Sequence, residues 1–134
     1  MALVVPNEGE LQLLKQALGA AAIETLVLKL YTNNYTPVAG SLAANFTEAS
    51  GGGYASKNLT AGSWTYAGSN PTTASYPVQT FTFTGALTTN PTVYGYMIVG
   101  ATSGKCYWAE LLASAFTPAN NGDNLQITPT FSLT

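Results

Sequence analysis

Few residues in this chain could do chemistry. There is no His, and the four basic residues are Lys15, Lys29, Lys57 and Lys105, so there is no Arg either. Without His, the ordinary Ser–His–acid and Cys–His nucleophilic mechanisms are excluded. The single Cys, Cys106, lies in the most apolar stretch of the chain and reads as a buried, inert thiol. It cannot form an internal disulfide, and one Cys without His cannot make a zinc site. A glycosidase needs two carboxyl groups facing one cleft, and the candidates are Glu48, Glu110 and Asp123. Glu110 stands among Trp108, Leu111 and Leu112, but a strand residue on a solvent face is the favoured reading. Asp123 ends the run Asn120-Asn121-Gly122-Asp123 and is more simply a turn residue than a calcium ligand. Gly51-Gly52-Gly53 is followed by Tyr54 and not by Gly-Lys-Ser/Thr, so it is not read as a phosphate cradle. Trp64, Tyr66 and Tyr76 flank polar turns. They could form an aromatic platform for a sugar, but packing within the fold is favoured. The residues therefore predict no catalytic, metal or cofactor site, and a protein that is not an enzyme.

The elements that would carry these residues are mostly strands. The densest stretch runs from Thr92 to Ala113. Val93 to Val99 and Cys106 to Leu112 suit a half-buried pleated surface, and Gly100 to Gly104 suits a tight connection. This hairpin is expected at the centre of a sheet. Leu26, Leu28 and Leu30 alternate with Thr25, Val27, Lys29 and Tyr31, which predicts a strand with one buried face. Further strands are expected over 54–60, 63–67 and 78–84, the last with Phe81 and Phe83 on one face. A final strand carries Leu125, Ile127, Phe131 and Leu133, and Pro129 makes it an edge or a bulged strand. Residues 38–53 show no period and read as a loop. With turns roughly every 8–12 residues, the pattern predicts a mainly β protein. It should be an antiparallel β-sandwich, jelly-roll-like, preceded by one short N-terminal helix.

That helix is expected over 8–18. Asn7 is a good N-cap, Glu10 completes a capping-box spacing, Glu8 and Glu10 suit the positive end of the helix, and Gly19 is a stop. Leu11, Leu14 and Leu18 fall on one face. So short a helix is marginal alone, so this face must pack on its own domain or on a neighbouring subunit. Residues 1–6 should be extended before Pro6. The chain divides into an arm and helix over 1–22 and a sandwich over 23–134.

Composition narrows the function further. The chain has 134 residues, of which 46% are hydrophobic and only 7% charged, against roughly 25% charged in typical soluble domains. So little charge gives little self-repulsion, and suits either a surface that neighbours cover or a neutral, Thr-rich β protein exported or assembled at high density. The isoelectric point near 4.7 and the scattered lysines argue against nucleic-acid binding. No apolar run reaches the length of a membrane span, and no positive leader region precedes Leu3-Val4-Val5. Synthesis in a cytoplasm, with no membrane partner, is the expectation.

Several stretches resemble a group of small structural proteins of tailed bacteriophages. They are Val-Val-Pro-Asn-Glu-Gly-Glu at 4–10, Leu-Lys-Leu-Tyr-Thr-Asn-Asn at 28–34 and Gly-Tyr-Ala-Ser-Lys-Asn-Leu-Thr at 53–60. Val-Tyr-Gly-Tyr at 93–96, Trp-Ala-Glu at 108–110 and Asn-Asn-Gly-Asp-Asn-Leu-Gln-Ile-Thr-Pro at 120–129 complete the set. None is a catalytic signature. The resemblance implies a virion component made in the host cytoplasm, specifically a capsid decoration (cement) protein bound to the major capsid protein at the capsid surface. A tail or head-fibre part, or a carbohydrate-recognising β-sandwich module, is the alternative. Decoration proteins act at joints of local symmetry, so a homotrimer is the expected self-association. The interface is expected at Leu3, Val4 and Val5 of the arm, at Leu11, Leu14 and Leu18 of the helix, and at Trp64 and Tyr66. No functional residue is carried over from the resembling proteins. On this reading, removing residues 1–22 leaves a folded sandwich that no longer binds shells.

Overall fold

The two stretches rich in aromatic, β-branched and apolar residues do form the hairpin at the middle of the chain: β6 spans Val93–Gly100 and β7 spans Cys106–Phe116. The computed structural model describes residues 3–133. Over these residues the protein is mainly β, with three antiparallel sheets in a sandwich-like arrangement and one short N-terminal α-helix. The helix, α1, is Asn7–Ala17. The remaining strands are β1 (Leu26–Tyr31), β2 (Lys57–Leu59), β3 (Thr65–Ala67), β4 (Thr72–Ser75), β5 (Gln79–Thr82), β8 (Asn124–Ile127) and β9 (Thr130–Leu133). The large sheet has the order β2-β1-β6-β7; the others are β3-β4-β9 and β5-β8. All pairings are antiparallel.

The main core lies between the large sheet and the two small ones. Leu28, Leu30, Tyr96, Ile98 and Trp108 come from one side, and Tyr76, Phe81, Phe83 and Ile127 from the other. A second cluster covers the opposite face of the large sheet. There Val27, Tyr31, Met97, Val99 and Ala109 are roofed by Phe46, with Tyr35 and Ala43 at the margin. β1 is therefore buried on both faces, contrary to the single buried face that its leucine alternation suggests. The loop over 38–53, which has no period of its own, supplies the lid. The Tyr31 ring meets Phe46 at a tilt of 53° with ring centres 4.9 Å apart, and Tyr35 meets the same ring edge-on.

β6 is an inner strand. β7 is the edge of the sheet proper, but the arm extends it, because Val4 exchanges both backbone hydrogen bonds with Ala109 at 2.9 Å. Pro129 does more than bulge a strand. It separates β8 from β9, so the expected single strand is two strands in two different sheets. A proline cannot donate to a ladder; its carbonyl instead accepts the N–H of Tyr76. β4 carries only small polar residues and Ala (Thr-Thr-Ala-Ser), which give no apolar signal in the sequence. The triple glycine holds three positive φ angles and packs its backbone against residues 84–88, so it is a structural seam.

β6 leaves no room for a side chain at Gly95. The Tyr31 ring crosses β6 there, and its hydroxyl reaches the carbonyls of Glu110 (3.3 Å) and Tyr35 (3.2 Å). A β-carbon at Gly95 would run into both the Tyr31 hydroxyl and the Glu110 carbonyl. An ordinary strand gains from Gly→Ala, but here overpacking dominates. Gly95→Ala is expected to destabilise the protein by about 1–3 kcal/mol, read from urea unfolding midpoints; an unchanged or higher midpoint would contradict this packing.

Candidate interaction surface

The carboxylates come first, because their partners decide what surface is left. Glu8 does not act chiefly on the helix end. Its Oε1 accepts the backbone N–H of Ala43 (2.9 Å) and of Cys106 (2.8 Å), and its Oε2 lies 3.5 Å from Lys105 Nζ. Glu24 Oε2 accepts the N–H groups of Thr102 and Ser103, both at 2.8 Å. Its Oε1 accepts the hydroxyls of Ser103 (2.7 Å) and Tyr107 (2.8 Å). Gly100 leaves room for this carboxylate, since a β-carbon there would collide with it. Asp123 accepts the N–H groups of Ala119 and Asn120, both at 2.8 Å. Glu48 pairs with Lys29 at 2.8 Å and accepts the Tyr54 hydroxyl at 3.0 Å. Glu110 accepts the Tyr96 hydroxyl at 2.6 Å, so it is tied to a core tyrosine rather than lying free on a solvent face.

Glu48, Glu110 and Asp123 are each occupied by their own partners. Among the described residues no three His, Cys, Asp or Glu side chains cluster as a metal site would need. Two shifts in acidity follow from the packing. Burial, with the Glu8 carboxylate nearby, pushes the Cys106 thiol up to about 12; it is an inert core group at neutral pH. Partial burial raises the Glu24 carboxyl, but the hydrogen bonds from Ser103, Tyr107 and Thr102 outweigh this and hold it below its ordinary value.

The helix is docked the opposite way round from an ordinary amphipathic helix. Its start differs from the capping-box expectation. The N-cap is Pro6, no side chain caps it, and Asn7 is the first helical residue. The Pro6 carbonyl accepts the N–H groups of Gly9 and Glu10, and the Asn7 N–H goes to Ala39. Pro6 is fully buried, and that fixes the chain's direction before any side-chain cap could. Gly9 then lies directly on β7: a β-carbon there would be 2.5 Å from the carbonyl oxygens of both Cys106 and Tyr107. Gln16 donates to the Tyr107 hydroxyl at 2.7 Å, and Leu13 packs on the main core. At about 100° per residue, Leu11, Leu14 and Leu18 lie on the side opposite Gly9, Gln12 and Gln16. All three leucines are exposed, Leu18 to 82%. The helix has thus met its own domain with a face of Gly9, the two glutamines and Leu13, and its three-leucine stripe points to solvent.

The other expected interface residues divide. Leu3, Val4 and Val5 are half-buried. Leu3 and Val5 pack against the main core and Val4 is paired to β7. Residues 1 and 2 of the arm lie outside the described residues. The arm is thus built into the subunit and is not a free contact segment. The clean separation at residue 22 does not hold in packing terms, because Val4, Glu8 and Gly9 all bind β7. Trp64 is wedged edge-on between Tyr76 and Trp108, and Tyr76 is only 7% exposed. These aromatics serve the core, as the favoured reading of them has it, and do not form a three-ring platform. Tyr66 alone of the three stands out, at 76% exposed.

Sequence reasoning missed Ile23, which is 83% exposed. With Leu26, Leu59, Trp64 and Tyr66 it lines an open hollow of about 160 Å³. The available signal was a lone β-branched residue just after the alanine run, outside both the helical and the strand period. No helix among the described residues is long and apolar enough to cross a membrane.

Compared with known protein families, with curated proteins and with solved structures, the chain matches none. Function is therefore argued from this surface.

Two outcomes check the geometry. Gly→Ala in a helix normally gains about 1 kcal/mol, but Gly9→Ala is expected to lower the melting temperature, because the added methyl meets the β7 backbone. Glu24→Gln is expected to lower it too, with a pH signature. The folded-state acidity constant of Glu24 is depressed, so its contribution is complete above the ordinary carboxylate value of 4.5 and is lost as pH falls below it. The gap in melting temperature between wild type and Glu24→Gln should be widest at pH 7 and should close as the pH drops towards 3. A gap independent of pH would contradict the Glu24 assignment.

Proposed function

We propose that this protein is a non-enzymatic virion structural protein that binds and stabilises a phage capsid shell: a decoration protein acting on the major capsid protein, at the capsid surface, as a self-associating subunit. The observation that carries the reading is an apolar outer surface on a rigid, nearly uncharged body. Leu11, Leu14 and Leu18 point outward from a helix that is already fixed in place, and Ile23 and Tyr66 stand beside a hollow in the same subunit. Burying such side chains is worth roughly 1.5–3 kcal/mol each, and a group of them exposed on one subunit marks a surface that a partner covers. Weak contacts of this kind add up when many copies bind one shell. The likeness of several stretches to tailed-phage structural proteins supports the same reading.

The test is co-sedimentation with capsid shells. Wild type should pellet with shells assembled from the parent phage's major capsid protein and protect them against heat or chelator. Ile23→Asp combined with Tyr66→Ala should weaken attachment by at least about tenfold while leaving the unfolding midpoint in place. A wild-type protein that stays in the supernatant with such shells would overturn the reading, and binding to tail or head-fibre components instead would move the site of action there.

A further inference from the structure

We propose that the outward leucine face of α1 binds the same face of a second copy of this chain, with the two helices side by side and parallel. This deepens the self-association part of the reading above and does not require a shell.

The spacing of the exposed residues is that of a heptad seam. Leu11 and Leu14 of α1 and its C-cap residue Leu18, whose N–H still bonds to the Leu14 carbonyl, occupy successive a, d and a positions, the narrow stripe that identical helices bury against each other. The face docked to the subunit is Gly9, Gln12, Leu13 and Gln16, which are the f, b, c and f positions. These are the outward positions of a coiled coil, so docking on β7 leaves the seam wholly open. An isolated helix of 11 residues would be marginal in water. This one is already ordered by Glu8, Gly9 and Gln16 on β7, so pairing carries no cost of forming the helix.

Charge selects the occupant and the direction. Lys29 is paired with Glu48, Lys105 with Glu8, and Lys57 sits 5.4 Å over the Phe81 ring. Glu24, Glu110 and Asp123 are hydrogen-bonded within the subunit. Among the described residues, Glu10 and Lys15 are the two charged side chains with no ion-pair, hydrogen-bond or cation–π partner. They flank the leucine stripe on opposite sides, at the g and e positions, five residues apart. In a parallel pair, a g residue faces the e residue five places on in the partner helix, so Glu10 of each copy meets Lys15 of the other. In an antiparallel pair, g faces g and e faces e, which would set Glu10 against Glu10 and Lys15 against Lys15. A parallel arrangement of identical helices implies a rotation axis along the helix direction, and so a closed cyclic assembly.

The experiment uses the whole chain in solution, with mass read by light scattering after gel filtration. Wild type should run as a small multiple of 13.9 kDa, and Leu14→Glu as a monomer with unchanged circular dichroism. Glu10→Lys and Lys15→Glu should each weaken association by about tenfold, and the double exchange should restore it; antiparallel pairing predicts no such pattern. Leu18→Cys should form a disulfide-linked dimer under mild oxidation, since the native Cys106 is buried. An equal mixture of Leu11→Cys and Leu18→Cys chains should give the two like-with-like products in preference to the mixed one. A wild-type monomer at high concentration, or a preferred Leu11–Leu18 cross-link, would overturn the inference. If wild type is monomeric but Leu14→Glu loses shell attachment, the leucine face belongs to the shell contact; self-pairing falls and the adhesion reading stands.

Discussion

The contact between the backbone of Gly9 and the backbone of β7 is the constraint from which the surface of this protein follows. A helix can approach a strand that closely only where it has no β-carbon. Once Gly9 is the point of approach, the rotation of the helix is fixed, and every side chain on it inherits a direction. Leu13 goes to the core, Gln16 reaches the Tyr107 hydroxyl, and the three leucines opposite are left outside. Hydrophobic periodicity alone would have turned the helix over. Steric fit and the Glu8 hydrogen bonds decide otherwise, because burying the polar face leaves few polar groups unpaired: Glu8 itself caps two backbone N–H groups.

The acids show the same economy of charge throughout. Glu24 and Asp123 each satisfy two neighbouring backbone N–H groups at a bend of the chain, and Glu8 satisfies one on each of two separate segments, at Ala43 and Cys106. Glu48 holds the Tyr54 hydroxyl, and Glu110 holds the hydroxyl of Tyr96 on the inner strand β6. Charge-assisted hydrogen bonds of this kind are stronger than neutral ones, and they fix loops that lack regular structure of their own. In a chain with six acids in all, assigning five of them to internal work leaves a surface with almost no charge to keep neighbours apart. The Glu24 site joins the end of the arm-and-helix segment to the β6–β7 turn, while Glu8 joins the start of the helix to the far end of that turn. The N-terminal segment is thus stapled at both ends to one hairpin.

Two-sided burial of β1 and β6 has a further consequence. A sheet buried on one face can be peeled from its core, whereas the large sheet here is held between the sandwich interior and a lid of Phe46, Tyr35 and Ala43. Tyr31 links the layers, since its ring packs at a tilt under Phe46 while its hydroxyl reaches past Gly95 to the Glu110 carbonyl. A rigid body of this kind suits work by adhesion, because little ordering is needed when it docks.

Much of this was written in the sequence. Alternation gave β1 and β5, and the density of aromatic, β-branched and apolar residues gave β6 and β7; the Asn120–Asp123 run gave a turn and Gly19 the end of the helix; the lack of His and the apolar setting of Cys106 gave an inert thiol. These are local properties, set by propensity, period and turn chemistry within a few residues. Other features needed the folded chain. Small polar residues hid β4. Pro129 marked a break but not the change of sheet, and the lid over β1 has no period to read. Glu8 and Glu24 look like ordinary surface acids until the β6–β7 turn is brought to them from far along the chain. The leucine stripe was legible, but its direction was not. Which face of a helix is buried depends on what it meets, and only the tertiary structure brings β7 against Gly9.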